Sequence, residues 1–174
     1  HRTLSNNSLL VHNLRQLDVD FFLSDDQKNN EENLSPESLI FFLSTSKESR
    51  FRLALIPLFL THPNFSEEIS GLMINLPQSA KVTLIFYYCA AVFLQQKYKH
   101  KLISLGKFES ELPILFEDQL NFKVSNNPDE NLSKLSQNQQ LITGRLINWY
   151  GTYEHAIKRL VKHLEWQKNE RSNQ

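Results

Sequence analysis

The stretch Val82–Leu94, VTLIFYYCAAVFL, decides the fold class. Its thirteen residues lie between Lys81 and Gln95. A membrane-crossing helix needs about 20 apolar residues, so the run is too short to span a bilayer and reads as the buried core helix of a soluble protein. Cys89, the chain's single cysteine, sits inside it. One thiol makes no internal disulfide, which suits a reducing, cytoplasmic setting. In apolar surroundings that thiol is expected to be buried and inert. No secretory signal is visible in a chain that opens at His1 and not Met, which leaves the native start open.

The rest of the composition agrees with a helical core. Hydrophobic residues make up 40% and aromatics 11%, more than a disordered chain carries. Gly is scarce, with four residues, and β-rich folds spend more of it on turns. At 174 residues one helical domain, 1–174, is expected. Basic and acidic residues balance at 19 each, so no global field attracts nucleic acid.

About seven helices follow from periodicity and caps. Leu9, Leu10, Leu14 and Leu17 have helical spacing, with Phe21 and Phe22 beyond them. Residues 24–34 read as a mobile polar loop. Ser35-Pro36-Glu37 opens a helix: Ser caps the free amides, Pro suits the first turn and Glu the positive dipole end. The next helix covers 48–61, with Pro57 expected to kink it. Another begins at Asn64 or Ser66, and a long one runs from Gln78 to Ser104, stopped by Gly106. A short helix is predicted over 112–120, a further one over 129–142 closed by Gly144, and a last one from Trp149 or Thr152 to about Lys168. The tail 169–174 is expected to fray. Phe51, Leu55, Phe59, Leu84, Tyr88 and Val92 are the predicted core, joining the helices at 48–61 and 78–98.

A weak internal repeat appears at an offset of 33 residues, laying Ser38–Leu60 over Gly71–Phe93. Leu39 meets Leu72, Leu43 meets Leu76, and Phe51, Leu55 and Leu58 meet Leu84, Tyr88 and Ala91. Each copy is a short helix, a turn and a longer apolar helix, so antiparallel hairpins resembling HEAT-like stacking are expected.

The richest functional stretch is Asn148–His155, NWYGTYEH. One reading is structural: Gly151 turns the chain, Thr152 caps the last helix, and Trp149, Tyr150 and Tyr153 anchor it. The other is a cleft lined by Asn148, Tyr153, Glu154 and His155, with His155 as base or ligand. His155, Arg159 and His163 recur every four residues and share a helix face beside Lys158 and Lys162. That stripe is either a solvated face or a set of phosphate contacts. His155 and His163 stand about 12 Å apart along the axis, too far for one metal ion. The run Lys97, Lys99, His100 and Lys101 complements a helix dipole. No phosphate loop, nucleophile elbow or H-E-x-x-H occurs, and no cofactor is implied. The R-x4-H spacing of one helical ribonuclease family is absent, because three residues separate Arg159 from His163.

Leu55–Pro63 (LIPLFLTHP), Tyr87–Gln95 (YYCAAVFLQ), Leu112–Phe116 (LPILF) and the N-W-x-G-T-Y-E-H element at 148–155 resemble an uncharacterised bacterial all-helical family found near small nucleotidyltransferases. The resemblance covers most of 35–165 and implies a possible protein partner, a nucleotidyltransferase, without assigning a catalytic residue. Three functions are thus expected in descending order. The first is a non-enzymatic protein-interaction module, with Asn148, Trp149, Tyr153, Glu154, His155, Arg159 and His163 as binding residues. The second is a nucleic-acid-linked toxin–antitoxin or defence component. The third is an enzyme using the His155 region.

Overall fold

The computed structural model describes residues 2–23 and 31–173. Every regular element among them is helical. In chain order these are α1 (Arg2–Gln16), α2 (Pro36–Thr45), α3 (Ser49–Leu53), α4 (Leu55–Thr61), α5 (Ile69–Leu72), α6 (Gln78–Lys97), α7 (Lys99–Ser104), α8 (Pro128–Thr143) and α9 (Trp149–Ser172). Short 3-10 turns cover Pro63–Glu68 and Glu117–Gln119. Two pairs, α3/α4 and α6/α7, are halves of interrupted rods, so the predicted all-α fold of about seven helices is what forms.

The decisive apolar run is the middle of α6, where Phe86 through Gln95 are all buried. A helix apolar on every side belongs in the interior, and α6 packs against α2, α4, α8 and α9. Phe51, Leu55, Phe59, Leu84, Tyr88 and Val92 are all buried, as expected. Phe59 meets the edge of Tyr88 at 5.0 Å between centroids, which ties α4 to α6. Contact between α4 and α6 is matched by the contact of α6 with α8. No helix among the described residues is long and apolar enough to cross a membrane.

Local chemistry explains the element ends. Ser35 caps α2 by accepting the Ser38 amide at 3.2 Å. Pro57 offers no N–H to the Leu53 carbonyl, and the rod breaks at Ala54. Gly144 ends α8 in the left-handed region at φ 66°, where a side chain would be strained.

Several expectations need correction. The first helix stops at Gln16, and Asp18 turns the chain at φ 62°, so Phe21 and Phe22 lie outside it. Of the predicted mobile loop 24–34, residues 24–30 lie outside the described residues, while the rest is tied down. Asn13 donates to the Glu32 carbonyl at 3.0 Å and accepts the Leu34 amide at 2.7 Å. The long helix is interrupted at Tyr98, where Lys97 and Tyr98 both turn toward Glu154. The tail is helical to Ser172, with Gln174 outside the described residues.

The predicted helix at 112–120 does not form beyond the single 3-10 turn. Side chains of α6 capture the backbone of 110–115 instead. Gln95 donates to the Ser110 carbonyl at 2.8 Å and accepts the Leu112 amide at 2.8 Å. Tyr88 donates to the Pro113 carbonyl at 2.6 Å, and the Cys89 thiol reaches the Leu115 carbonyl at 3.7 Å. Backbone groups satisfied this way have no need of a helix.

Candidate functional site

The Asn148–His155 segment forms the first turns of α9. Asn148, and not Thr152, is the cap: its Oδ1 accepts the Gly151 amide at 2.9 Å. Thr152 lies one turn inside and donates back to the Asn148 carbonyl at 3.1 Å. The cap requires Gly151, because a Cβ there would stand 2.7 Å from Asn148 Nδ2.

The interior side of these turns is anchored by Tyr153. It is fully buried, donates its hydroxyl to Gln139 of α8, and meets the edge of Tyr87 at 6.5 Å. Burial holds its hydroxyl pKa well above the ordinary value. The next residue, Glu154, is also buried and uses both carboxylate oxygens. It accepts from Lys97 Nζ at 2.5 Å and from the Tyr98 hydroxyl. Lys97 also reaches Asp129 at 2.8 Å and Tyr150 at 3.1 Å, while Tyr150 donates to Asp129.

Lys97 is therefore the hub joining α6, α8 and α9. Burial works against its charge, but the bonds to Asp129, Glu154 and Tyr150 outweigh that and raise its pKa. Burial, and then the bond to Glu154, push Tyr98 up to about 12. The bond from Lys97, then that from Tyr150, hold Asp129 below the usual carboxylate range. With every ionisable group engaged by a neighbour, the cluster's chemistry is that of a staple between helices.

The remaining predicted residues fall elsewhere. His155 is exposed, with its ring 6.2 Å from Phe22. Arg159 donates to the Phe21 carbonyl at 2.6 Å and lies over the Phe22 ring. His163 pairs with Asp18 at 3.0 Å, and Gln167 donates to the other Asp18 oxygen at 2.6 Å. Arg159 and His163 thus dock the turn after α1, while His155, Lys158, Arg159 and Lys162 all remain exposed, so the stripe is a solvated face that also carries two docking contacts. In the second basic run, Lys99 pairs with Glu111 at 3.0 Å and Lys101 with Glu165 at 2.7 Å. Among the described residues no three His, Cys, Asp or Glu side chains converge as metal ligands would.

The outward side of the segment is different. Trp149, the predicted anchor, is only partly buried, and its shielded Nε1 has no acceptor among the described residues. It lines a groove of about 670 Å³ together with Lys47, Arg52, Tyr87, Ile142 and Arg145. Beside the groove, the α8–α9 turn leaves Leu141, Ile142, Leu146 and Ile147 in solvent. Sequence reasoning missed this turn, although a signal was present. The inward residues near the end of α8 are Asn138 and Gln139, while the aliphatic Leu141 and Ile142 point out, an inversion of the normal amphipathic order.

No family model, curated protein or solved structure matches the chain.

Proposed function

We propose that this protein is a non-enzymatic interaction module whose docking surface is the α8–α9 turn. One observation carries the reading: Leu146 is 92% exposed, Leu141 80%, Ile142 51% and Ile147 39%, spread over the last turn of α8 and the short link to α9. Isolated exposed aliphatics are common on any surface, but a contiguous group of them marks a contact site. The occupant is a partner protein offering an apolar segment with carboxylates. Lys134 is paired with Glu130 at 2.9 Å, but Arg145, inside the turn, has no ion-pair partner among the described residues, and no acidic residue lies between Asn131 and Tyr153, so an acidic segment is complementary and a second copy of this surface is not. The small nucleotidyltransferase implied by the resemblance is the first partner to test.

The consumption of Glu154, Lys97 and Tyr98 inside the fold supports a binding role over a catalytic one. Leu141→Asp and Leu146→Asp test the proposal. Both side chains are exposed, so melting temperatures should change little. Affinity for a purified partner, identified by co-purification from the host and measured pairwise, should fall about tenfold or more. Unchanged affinity would remove the turn from the interface. Sedimentation that shows a dimer broken by either variant would assign the surface to a second copy of this chain.

A further inference from the structure

The groove beside Trp149 has a composition of its own. Its charged lining residues are Lys47, Arg52 and Arg145, with no carboxylate among them. Glu48, next in sequence to Lys47, is turned away and holds Arg50 at 2.7 Å and Asn7 at 2.5 Å. Arg52 spends one Nη1 bond on the Ser46 carbonyl at 2.8 Å, which fixes its guanidinium and leaves further donors. The hydroxyls of Ser46 and Ser79 also line the groove, while those of Ser44, Thr45, Thr83 and Thr143 donate to backbone carbonyls of their own helices. Pro77, Ser79 and Ala80 bring in the start of α6, a 20-residue helix that no described side chain caps. Trp149, with its unpaired Nε1, stands at the opposite end of the chain's contribution to the groove.

We infer that this groove is a binding site for a small phosphorylated molecule, held by Lys47, Arg52 and Arg145 at the N-terminus of α6. Three cations without a counter-ion among the described residues, first-turn amides aligned with a helix dipole and the Ser46 and Ser79 hydroxyls are the donors that phosphoryl oxygens accept from. The volume lies within the range of small-ligand pockets, about 300–1,000 Å³. Trp149 supplies flat apolar surface for a non-phosphate portion. Arg145 belongs to both the groove and the α8–α9 turn, so this inference shares it with the docking proposal, whereas Lys47 and Arg52 lie outside the turn and belong to the groove alone.

Inorganic phosphate and pyrophosphate, titrated calorimetrically into the full chain at constant ionic strength, provide the test. Pyrophosphate should bind saturably at one site and more tightly than phosphate. Arg145→Ala and Lys47→Ala should each weaken it about tenfold or more. Both residues are exposed, so unchanged melting curves will verify that these variants fold. Lys162→Ala, an exposed cation on α9 away from the groove, should leave binding as it is. No saturable binding at millimolar pyrophosphate overturns the inference, as does an equal loss in Lys162→Ala. An acidic carboxylate peptide that binds where pyrophosphate does not would also overturn it and assign the groove to a protein segment.

Discussion

On one side of the first turns of α9, Glu154 is buried with each carboxylate oxygen taken, one by Lys97 and one by Tyr98. On the other side, Trp149 carries a shielded donor with no acceptor among the described residues and borders an open cationic groove. The two faces are separated by only a few residues of one helix. The first face shows how a polar cluster looks when the fold itself uses every bond. The second shows how a surface looks when bonds are left over. Residue type does not separate the two, because Tyr, Glu and Lys in a cleft would read as chemistry in either case. Satisfaction of the hydrogen bonds does.

The sharpest break of this contrast comes from Tyr153. Tyr153→Ala removes a fully buried ring and should cost about 3–5 kcal/mol in denaturant unfolding. Tyr153→Phe should cost less, about 1–3 kcal/mol, because it leaves the Gln139 oxygen without its donor. A mild Tyr153→Ala would mean that the inner face is not the anchor.

Glu154→Ala comes next. It strands the Tyr98 hydroxyl and removes one of two carboxylates from Lys97, whose side chain keeps 28% exposure and its bond to Asp129. A loss of about 2 kcal/mol is expected, below the usual cost of breaking a fully buried pair. Glu154→Gln should recover part of it by still accepting from Tyr98. If Glu154→Ala leaves stability untouched, the cluster is not a staple.

The same cluster sets a pH dependence. Tyr98 ionises at about 12 in the folded chain against its ordinary 10.0. The unfolded chain releases that proton first, so the contribution is complete below pH 10 and is lost as pH rises from there toward 12. Burial shifts Cys89 up to about 12 as well, in the same direction. Stability measured between pH 9.5 and 11.5 should therefore decline, and Tyr98→Phe should make the decline shallower without abolishing it. An identical slope in that variant would show that the ionisation of Tyr98 contributes nothing to the decline.

The smallest effect is a coupling at the cap. Asn148→Ala should cost about 1 kcal/mol, and Gly151→Ala a similar amount, because its Cβ would displace the Asn148 side chain. In the Asn148→Ala background the clash is gone, and Gly151→Ala should become neutral or stabilising by up to about 1 kcal/mol through helix propensity. Simple additivity in this double-mutant cycle would show that Gly151 has no part in the cap.

What was legible in the sequence was whatever local chemistry determines. The Ser35-Pro36 cap, the Pro57 interruption, the Gly144 stop and the burial of α6 all follow from residues within a turn or two of one another. What was not legible depends on partners far along the chain. The Lys97 run looked like dipole compensation until α9 brought Glu154 against it, 57 residues away. The basic stripe on α9 is solvated as it reads, but its contacts from Arg159 and His163 to the Asp18–Phe22 turn, about 140 residues away in the chain, left no local sign. Thr152 seemed the natural cap because Thr caps helices well, but the helix begins one turn earlier with Asn148 in place. At the α8–α9 turn, the missed aliphatics were visible as a break in amphipathic order, and reading α8 by face would have found them.

The strap at 110–115 carries a consequence for how this sequence can drift. Its hold on α6 runs through the carbonyls of Ser110, Pro113 and Leu115 and the Leu112 amide. Carbonyls are present whatever side chain a codon specifies, so exposed strap positions such as Ser110 and Ile114 can change freely while the path of the chain persists. The constraint is displaced onto Gln95, which must offer both a donor and an acceptor, and onto the Tyr88 hydroxyl. Two diverged copies of this protein would therefore share little at the exposed strap positions, keep an apolar residue where Leu112 is buried, and still trace the same line across α6, marked by a glutamine and a tyrosine two turns apart on a different helix.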